Sequence, residues 1–555
     1  MISTVPDPIF AGKKSMQQLE PQTKSAPCRL DALIVGAGFG GMYALHRVRD
    51  MGLDVHLIEA GDDVGGTWYW NRYPGARCDV MSIDYSYSFS DEIQQEWTWS
   101  EQFAAQPEIL SYARFVADKL DLKRDISFET RATSVSYDEE AALWRIETDR
   151  GDIYEASYCL MATGPLSVPK QVDIPGADRF KGELYLSGKW PHHDVDLKGK
   201  RVAVIGTGSS GIQIVPVVAE QAEQLYVYQR TPSFTLPMRN RKLDADYVAH
   251  IKAHYPGLRA VARHSLTGGV RPITSRPVFS VTPAECEKLL EDAWQHSGLA
   301  FLGLFSDLLT NREANEVVAE FVRGKIAETV DDPDTARRLT PRGYPIFARR
   351  PCLDTGYYEA YNRDNVTLKD CLEHPIVEIT ETGIRTAEGE VEIDIIIAAI
   401  GYDALTGAML SIDIEGRDGR RLKDKWADGG CSHLGLMIEG FPNLFVIAGP
   451  NGPSALANFI LLNEQNVDWV CDCIEHMRAD GLRSIEANAD AEERWMSKVT
   501  TLGSQSLYPT ANTWYTGANV PGKPRTFPVY IGGLGRYREI CADAAAEGYR
   551  GFTLR

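Results

Sequence analysis

Two glycine-rich turns carry the first chemistry: Gly36-Ala37-Gly38-Phe39-Gly40-Gly41 and Gly206-Thr207-Gly208-Ser209-Ser210-Gly211. In such a run the first glycine makes a tight turn. The second lets a pyrophosphate approach the backbone, and the third lets helix and strand pack closely. Gly36, Gly38 and Gly41 therefore form one candidate phosphate cradle, and Gly206, Gly208, Ser209 and Gly211 a second, each at the positive end of the helix that follows. The two differ where a ribose would be read. The first unit ends its second strand at Glu59, whose carboxylate can accept hydrogen bonds from ribose hydroxyls. The second ends in Gln229-Arg230-Thr231. A carboxylate there would repel a 2′-phosphate, whereas an arginine binds it through charge-assisted bonds. The first site thus suits FAD and the second NADPH, held by Arg230 and Thr231.

Strands and helices must stand around these turns. Asp31 to Val35 is an apolar run entering the first turn, and Met42, Leu45 and Val48 recur at helical spacing after it. Val55 to Ile58 is the next strand. The second unit repeats the plan, with Val202 to Ile205, a helical Ile212 to Ala222, and Leu225 to Tyr228. Between the units a sheet-like stretch, 126–160, runs into Met161-Ala162-Thr163-Gly164. Residues 240–345 read as mainly helical, with Ala314, Val317, Val318, Phe321, Val322, Ile326 and Val330 at core-face spacing. Glu392 to Ile400 is an apolar strand before Gly401-Tyr402-Asp403. The expected fold is α/β: two Rossmann-like dinucleotide-binding domains, for FAD and NADPH, with a helical insertion. A flexible tail at 1–29 precedes an FAD domain split into 30–165 and 399–555. An NADPH domain at 166–398 holds the insertion near 240–345, and the hinges fall near 163–175 and 394–401.

The totals bound the alternatives. The 555 residues, 44% hydrophobic and 24% charged, are ordinary for a globular protein with room for several domains. A net charge of −19 argues against general nucleic-acid binding, which needs a basic surface. No run of about 18 apolar residues suggests a membrane span, and the first 29 residues, interrupted by four prolines, lack the apolar core of a signal peptide. The 10 cysteines form no dense framework, and Cys471 and Cys473, two apart in a helical run, do not face each other. A cytoplasmic protein with reduced thiols is expected. No metal-ligand spacing is present, and His192-His193 reads as a solvated loop pair. Two dinucleotide sites imply electron flow from a nicotinamide to a flavin. A disulfide reductase would need a CxxC pair beside that flavin, and the chain has none. Reaction with O₂ is the remaining route.

Longer motifs point to a family. The run Gly65-Gly66-Thr67-Trp68-Tyr69-Trp70-Asn71-Arg72-Tyr73-Pro74-Gly75-Ala76-Arg77-Cys78-Asp79 resembles a motif of flavin-dependent Baeyer–Villiger monooxygenases. Phe180, Gly182, Trp190 and Pro191 fit that family's Phe-x-Gly-x-x-x-His-x-x-x-Trp-Pro fingerprint, and the tail Gly517 to Arg525 is similar as well. The resemblance, nearest to the phenylacetone and steroid monooxygenases, runs from about residue 30 to the C-terminus. It implies oxygenation of a small-molecule ketone, cyclic, aromatic or larger, by FAD, NADPH and O₂, through a peroxide on the flavin C4a carbon, to give an ester or lactone. It implies that Gly66, Thr67, Trp68 and Asp79 lie at the cofactor. Arg350 would be the active-site cation, positioned by Asp79; a guanidinium stays charged and stabilises anionic oxygen. Arg349 would be a second contact to the 2′-phosphate, and Trp514 would reach toward the nicotinamide. Ser454, Ala455, Leu456 and Phe459 fall in a segment that resembles the substrate-side loop.

The chain departs from the pattern in three places. Leu186 stands at the fingerprint histidine, a residue that links the moving domains in the family, and leucine has no hydrogen-bonding group. Either the histidine is an organiser that this chain does without, or its loss diverts the chemistry toward an NADPH oxidase or a sulfur or nitrogen oxygenation. Tyr185 and Ser187 flank the position. Ile400 replaces a threonine of a second Ala-Thr-Gly hinge. Pro351 biases Arg350 toward extended backbone. A nucleotide-binding protein without turnover is the third reading, and the intact Asp79 and Arg350 argue against it.

Overall fold

A computed structural model of the chain describes residues 26–271, 273–296 and 298–555. Thirteen strands build its two main sheets: β1 (Cys28–Val35), β2 (Val55–Ile58), β3 (Ile126–Ser127), β4 (Ala132–Asp138), β5 (Leu143–Thr148), β6 (Ile153–Met161), β7 (Glu183–Leu186), β8 (Arg201–Ile205), β9 (Gln224–Gln229), β10 (Val366–Asp370), β11 (Ile395–Ala398), β12 (Asp413–Glu415) and β13 (Leu444–Val446). The first sheet has the order β12-β4-β5-β6-β1-β2-β3, and β13 pairs with the C-terminal end of β6. The second has the order β10-β9-β8-β11-β7 and is parallel throughout. A parallel sheet covered on both faces needs strands that are apolar on both faces. Ile395, Ile396 and Ile397 of β11 meet that demand, each with no exposed surface.

The chain passes into the second sheet after β6 and returns after β11. The two crossing segments pair with each other. Lys170 N–H donates to Gly401 O at 3.0 Å, Asp403 N–H to Val168 O at 2.9 Å and Leu405 N–H to Pro165 O at 2.9 Å. Main helices are α1 (Phe39–Asp50), α2 (Thr67–Trp70), α3 (Ser209–Gln221), α4 (Ala245–His264), α5 (Pro283–His296), α6 (Arg312–Thr329), α7 (Pro333–Leu339) and α8 (Phe459–Ala479). Helices α4 to α7 fill the stretch read as a helical insertion. Among the described residues, no helix is long and apolar enough to cross a membrane.

Two details differ from the sequence reading. Of the tail at 1–29, residues 1–25 lie outside the described residues. Cys28 and Arg29 already belong to β1, because the long β6 offers them Tyr154 and Glu155 as ladder partners, and the Arg29 guanidinium pairs with Glu155 at 3.1 Å. On α6, Ala314, Val318, Val322 and Ile326 are fully buried while Val317 is 36% exposed. Ala314, Val318, Val322 and Ile326 form the apolar row of a buried stripe that also takes in Asn315, Ala319 and Arg323, and Val317 lies outside it. His192 and His193 are both exposed in a loop, in line with the solvated pair expected, and the His192 ring meets Tyr69 edge-on at 4.8 Å. Cys471 and Cys473 are buried on α8, where burial pushes the Cys471 thiol up to about 12. All ten cysteines are free thiols.

The α6 stripe gives a direct stability test. Ile326→Ala should cost about 2–5 kcal/mol, whereas Val317→Ala should stay within about 0.5 kcal/mol. Denaturant unfolding of the two variants would separate a buried stripe from an exposed one, and equal losses would refute this burial pattern.

Candidate active site

Both glycine turns open onto one cavity of about 1290 Å³. The turns use the same steric solution. Gly36 has φ +105°, and a Cβ there would lie 2.6 Å from Ala162 O; Gly206 has φ +106°, and a Cβ would lie 2.4 Å from Ala399 O. Both positions demand glycine twice over, by conformation and by space. Each turn thus leans on the carbonyl at the end of the neighbouring strand, β6 in one sheet and β11 in the other. A Cβ at Gly208 would meet nothing within 4 Å, so the turn leaves an open approach to its backbone at the N-terminus of α3. Beside the first turn, Gly38 and Gly66 face each other across the cavity wall, which Thr67 and Trp68 continue.

Glu59 sits at the end of β2 and is 6% exposed. Its carboxylate accepts the Ala37 N–H at 2.7 Å and the Gly61 N–H at 2.8 Å. Burial raises its pKa, and the two backbone donors oppose the rise. Glu59 therefore braces the glycine turn from behind while lining the cavity. The two backbone bonds occupy one lone pair on each oxygen and leave others for a ribose hydroxyl.

At the second turn, Thr207 Oγ1 donates to Thr231 O at 3.0 Å, which fixes the segment carrying Arg230. Arg230, Thr231, Arg349 and a further cation, Lys170, line the same part of the cavity. The Arg349 guanidinium stacks on Tyr344 at 4.2 Å, and its Nε is buried without a hydrogen-bond partner. Burial and the neighbouring Arg230 charge push down the pKa values of both Lys170 and Arg349, and among the described residues no carboxylate offsets either. Clustered cations without a counter-charge fit a doubly charged 2′-phosphate. The donor sets at both turns therefore fit two dinucleotides. Lys170 escaped the sequence reading. The signal was there, a lysine just beyond Ala162-Thr163-Gly164 with no acid beside it, but only the paired crossing segments bring it to Arg230.

Arg350 and Asp79 come together from distant parts of the chain. Arg350 Nε donates to Asp79 Oδ2 at 2.9 Å, Nη2 to Asp79 Oδ1 at 2.6 Å, and Nη1 to Ala455 O at 3.0 Å. The Asp79 carboxylate holds the guanidinium pKa well above its ordinary value, against the cost of burial. Pro351 does not turn the side chain away: residues Cys352–Asp354 lie in a parallel ribbon with Thr235–Pro237 that anchors the segment. Tyr515, not singled out from sequence, is buried close by. Burial pushes its phenol up to about 12, while the Arg350 charge pulls it down. Trp514 lines the cavity and packs on Tyr515 with ring centroids 4.2 Å apart.

Of the substrate-side candidates, Ala455 and Phe459 line the cavity. Ser454 and Leu456 do not. Residues Ser454–Leu456 form one 3₁₀ turn, in which successive side chains diverge by a third of a turn. Ser454 is fully buried, and Leu456 packs into the cluster of Tyr508 and Tyr515.

A family model described as pyridine nucleotide-disulphide oxidoreductase matches residues 33–256. The chain is 41% identical over 528 residues to acetone monooxygenase (methyl acetate-forming) of Gordonia sp. (strain TY-5), covering 95% of this chain and 99% of that protein. It is 40% identical over 531 residues to a Baeyer–Villiger monooxygenase of Pseudooceanicola batsensis, covering 95% and 96%. The solved structure of oxidized steroid monooxygenase bound to NADP matches with a TM-score of 0.91 at 47% identity, over 95% of this chain and 99% of that one.

The bracing of the first turn is testable without any ligand. In Glu59→Gln the amide keeps one acceptor oxygen and turns an NH₂ toward a backbone N–H. The apoprotein should lose about 1–3 kcal/mol, read as a lower thermal midpoint; an unchanged midpoint would show that the two backbone bonds do not support the turn.

Proposed function

This chain belongs to the flavin-dependent Baeyer–Villiger monooxygenases, and from that premise we propose how its own residues convert a ketone to an ester or lactone. The observation that carries the reading is the Arg350–Asp79 pair on the wall of a cavity shared by both dinucleotide turns. FAD reduced by NADPH supplies an activated oxygen atom from O₂, and the second oxygen leaves as water. FAD is held by Gly36, Gly38, Gly41, Glu59, Gly66, Thr67 and Trp68. NADPH is held by Gly206, Gly208, Ser209 and Gly211, with Arg230, Thr231, Arg349 and Lys170 on the 2′-phosphate and Trp514 at the nicotinamide end.

Arg350 has five N–H donors. Asp79 takes two and Ala455 O one, which leaves one on each terminal nitrogen. These two meet the negative charge that develops on the carbonyl oxygen as the ketone is attacked. Asp79 fixes the plane of the fork, so no reorganisation is needed when that charge appears. Phe459 and Ala455 shape the wall against which the ketone rests, and Phe459 adds bulk that favours flat cyclic or aromatic ketones. The FAD domain is split, at 30–165 and 399–555, around an NADPH domain at 166–398. Ten free thiols support a cytoplasmic location.

Removing the cation tests this role. Arg350→Ala should lower ester formation by about 10²–10³, and gas chromatography of ketone incubations would measure it. Undiminished ester formation would overturn the assignment of Arg350. The cation cluster makes a separate demand: Arg230→Ala should raise KM for NADPH by about 10- to 100-fold and leave KM for NADH nearly unchanged, since a charged hydrogen bond contributes about 1.5–3 kcal/mol. Equal effects on both nucleotides would place the 2′-phosphate elsewhere.

A further inference from the structure

Leu186 ends β7 at the carboxyl edge of the second sheet, paired with Ala398 of β11. It has no polar atom in its side chain, whereas the histidine of the fingerprint would offer a polar link between the two sheets at this position. We propose that Tyr402 is the positioning residue that supplies this link here, joining the second sheet's return strand to the cofactor-binding helix α2 through Asn71. The proposal rests on the functional reading above, in which both dinucleotides act across the shared cavity.

Four observations place Tyr402 at the junction. It lies just beyond β11, and its hydroxyl donates to Asn71 Oδ1. Asn71 closes α2, and its Nδ2 donates to Thr67 O at 2.9 Å. That bond fixes the amide orientation and leaves Oδ1 as the acceptor facing Tyr402. The phenol also lies against the fingerprint itself: a Cβ at Gly188 would come 2.6 Å from the Tyr402 hydroxyl and 2.8 Å from Cε1. Gly188 is two residues beyond Leu186, so the hydroxyl occupies the neighbourhood of the missing histidine. Finally, Tyr402 O accepts from Asn519 Nδ2 at 2.7 Å, and Lys523 pairs with the adjacent Asp403. One residue therefore touches the first sheet's helix α2, the fingerprint loop, and the tail that carries Trp514. Burial keeps its phenol protonated, and hence a donor.

The flanking residues named from sequence do not make the connection. Tyr185 donates to Glu183 on its own strand, and Ser187 is buried within the loop. The bond from Tyr402 to Asn71 spans 331 positions in sequence and crosses between the sheets. When NADPH is consumed, such a bond would hold α2, with Thr67 and Trp68, in register with the turn at Gly206, so that oxygen reaches the ketone instead of leaving as hydrogen peroxide.

The test compares full-length, FAD-loaded parent, Tyr402→Phe, and Tyr402→Phe combined with Leu186→His. Two quantities are read: hydrogen–deuterium exchange of segments 163–170 and 399–405 with NADP⁺ present, and hydrogen peroxide released per NADPH consumed with ketone present. Tyr402→Phe is expected to speed exchange and to raise the peroxide ratio, each about fivefold, the weight of one net hydrogen bond. Leu186→His is expected to reverse both in the Tyr402→Phe background. If Tyr402→Phe behaves as the parent, the link is absent and the proposal fails. If the variant changes but Leu186→His restores neither quantity, Tyr402 does not stand in for the fingerprint position, and the proposal fails in that form. A parent that yields no ester counts against the functional reading alone, and the exchange arm then decides on Tyr402.

Discussion

The guanidinium of Arg350 can stand where it does only because Asp79 stands beside it. A cation taken largely out of water is costly unless it is paired and its donors are satisfied. The two residues lie 271 positions apart, one in the loop after α2 and the other at the entry to the ribbon beside the second sheet. Their fork-to-fork contact therefore requires the two sheets to close over one cavity. Other bonds serve the same closure: Gln213 on α3 accepts from the Tyr73 hydroxyl at 2.9 Å and donates to Arg77 O at 2.9 Å. The loop holding Asp79 is thus gripped by the helix that begins at the second glycine turn. Charge pairing, helix placement and cofactor cradle form one mechanical unit.

The duplicated turns show how little freedom such a cradle has. In both, the backbone swings through a positive φ while pressing on the carbonyl that ends the adjacent central strand. The supporting carbonyls belong to Ala162 and Ala399, the residues at which the chain crosses between sheets. The crossing points are therefore also the floors of the cradles. A shift of either crossing segment moves a phosphate-binding surface directly, with no intermediary. This explains how residues such as Tyr402 or Lys170, remote in sequence from the glycine turns, come to bear on what the turns hold.

Local signals were legible in the letters. The spacing of Gly36, Gly38 and Gly41 before an amphipathic run, and Arg230 where an acid would otherwise sit, each express chemistry within a few residues. The helical insertion was legible as periodicity, although Val317 shows that apolar spacing does not tell which edge of a stripe meets the core. Glu59 was legible as a carboxylate at the right distance from the turn. Its backbone bonds to Ala37 and Gly61 were not, because they depend on how far β2 runs before the chain bends. Ser454 and Leu456 were misplaced for a related reason: one tight turn sends three neighbouring side chains three ways. Lys170 was legible as a lone cation but not as a neighbour of Arg230, and Tyr515 and the bond from Tyr402 to Asn71 were out of reach, since each acquires meaning only from a partner far away in sequence or from the pairing of the two crossing segments.

That pairing also bears on how the molecule assembles. The first sheet is interrupted in sequence by more than 200 residues between Ala162 and Ala399, and its last strands, β12 and β13, must find β4 and β6 across the gap. Closing so long a loop costs conformational entropy before any contact is made. All strands of the second sheet, from β7 to β11, precede β12 and β13 in the chain and can pair before those two emerge. Once it has formed, β7 and β11 lie side by side, and the bonds between 165–170 and 401–405 bring the two exits together. The separation that the first sheet must bridge then shrinks from a long loop to the width of two strands. The inner unit becomes the template on which the outer one is completed, which favours an order of folding from the middle of the chain outward.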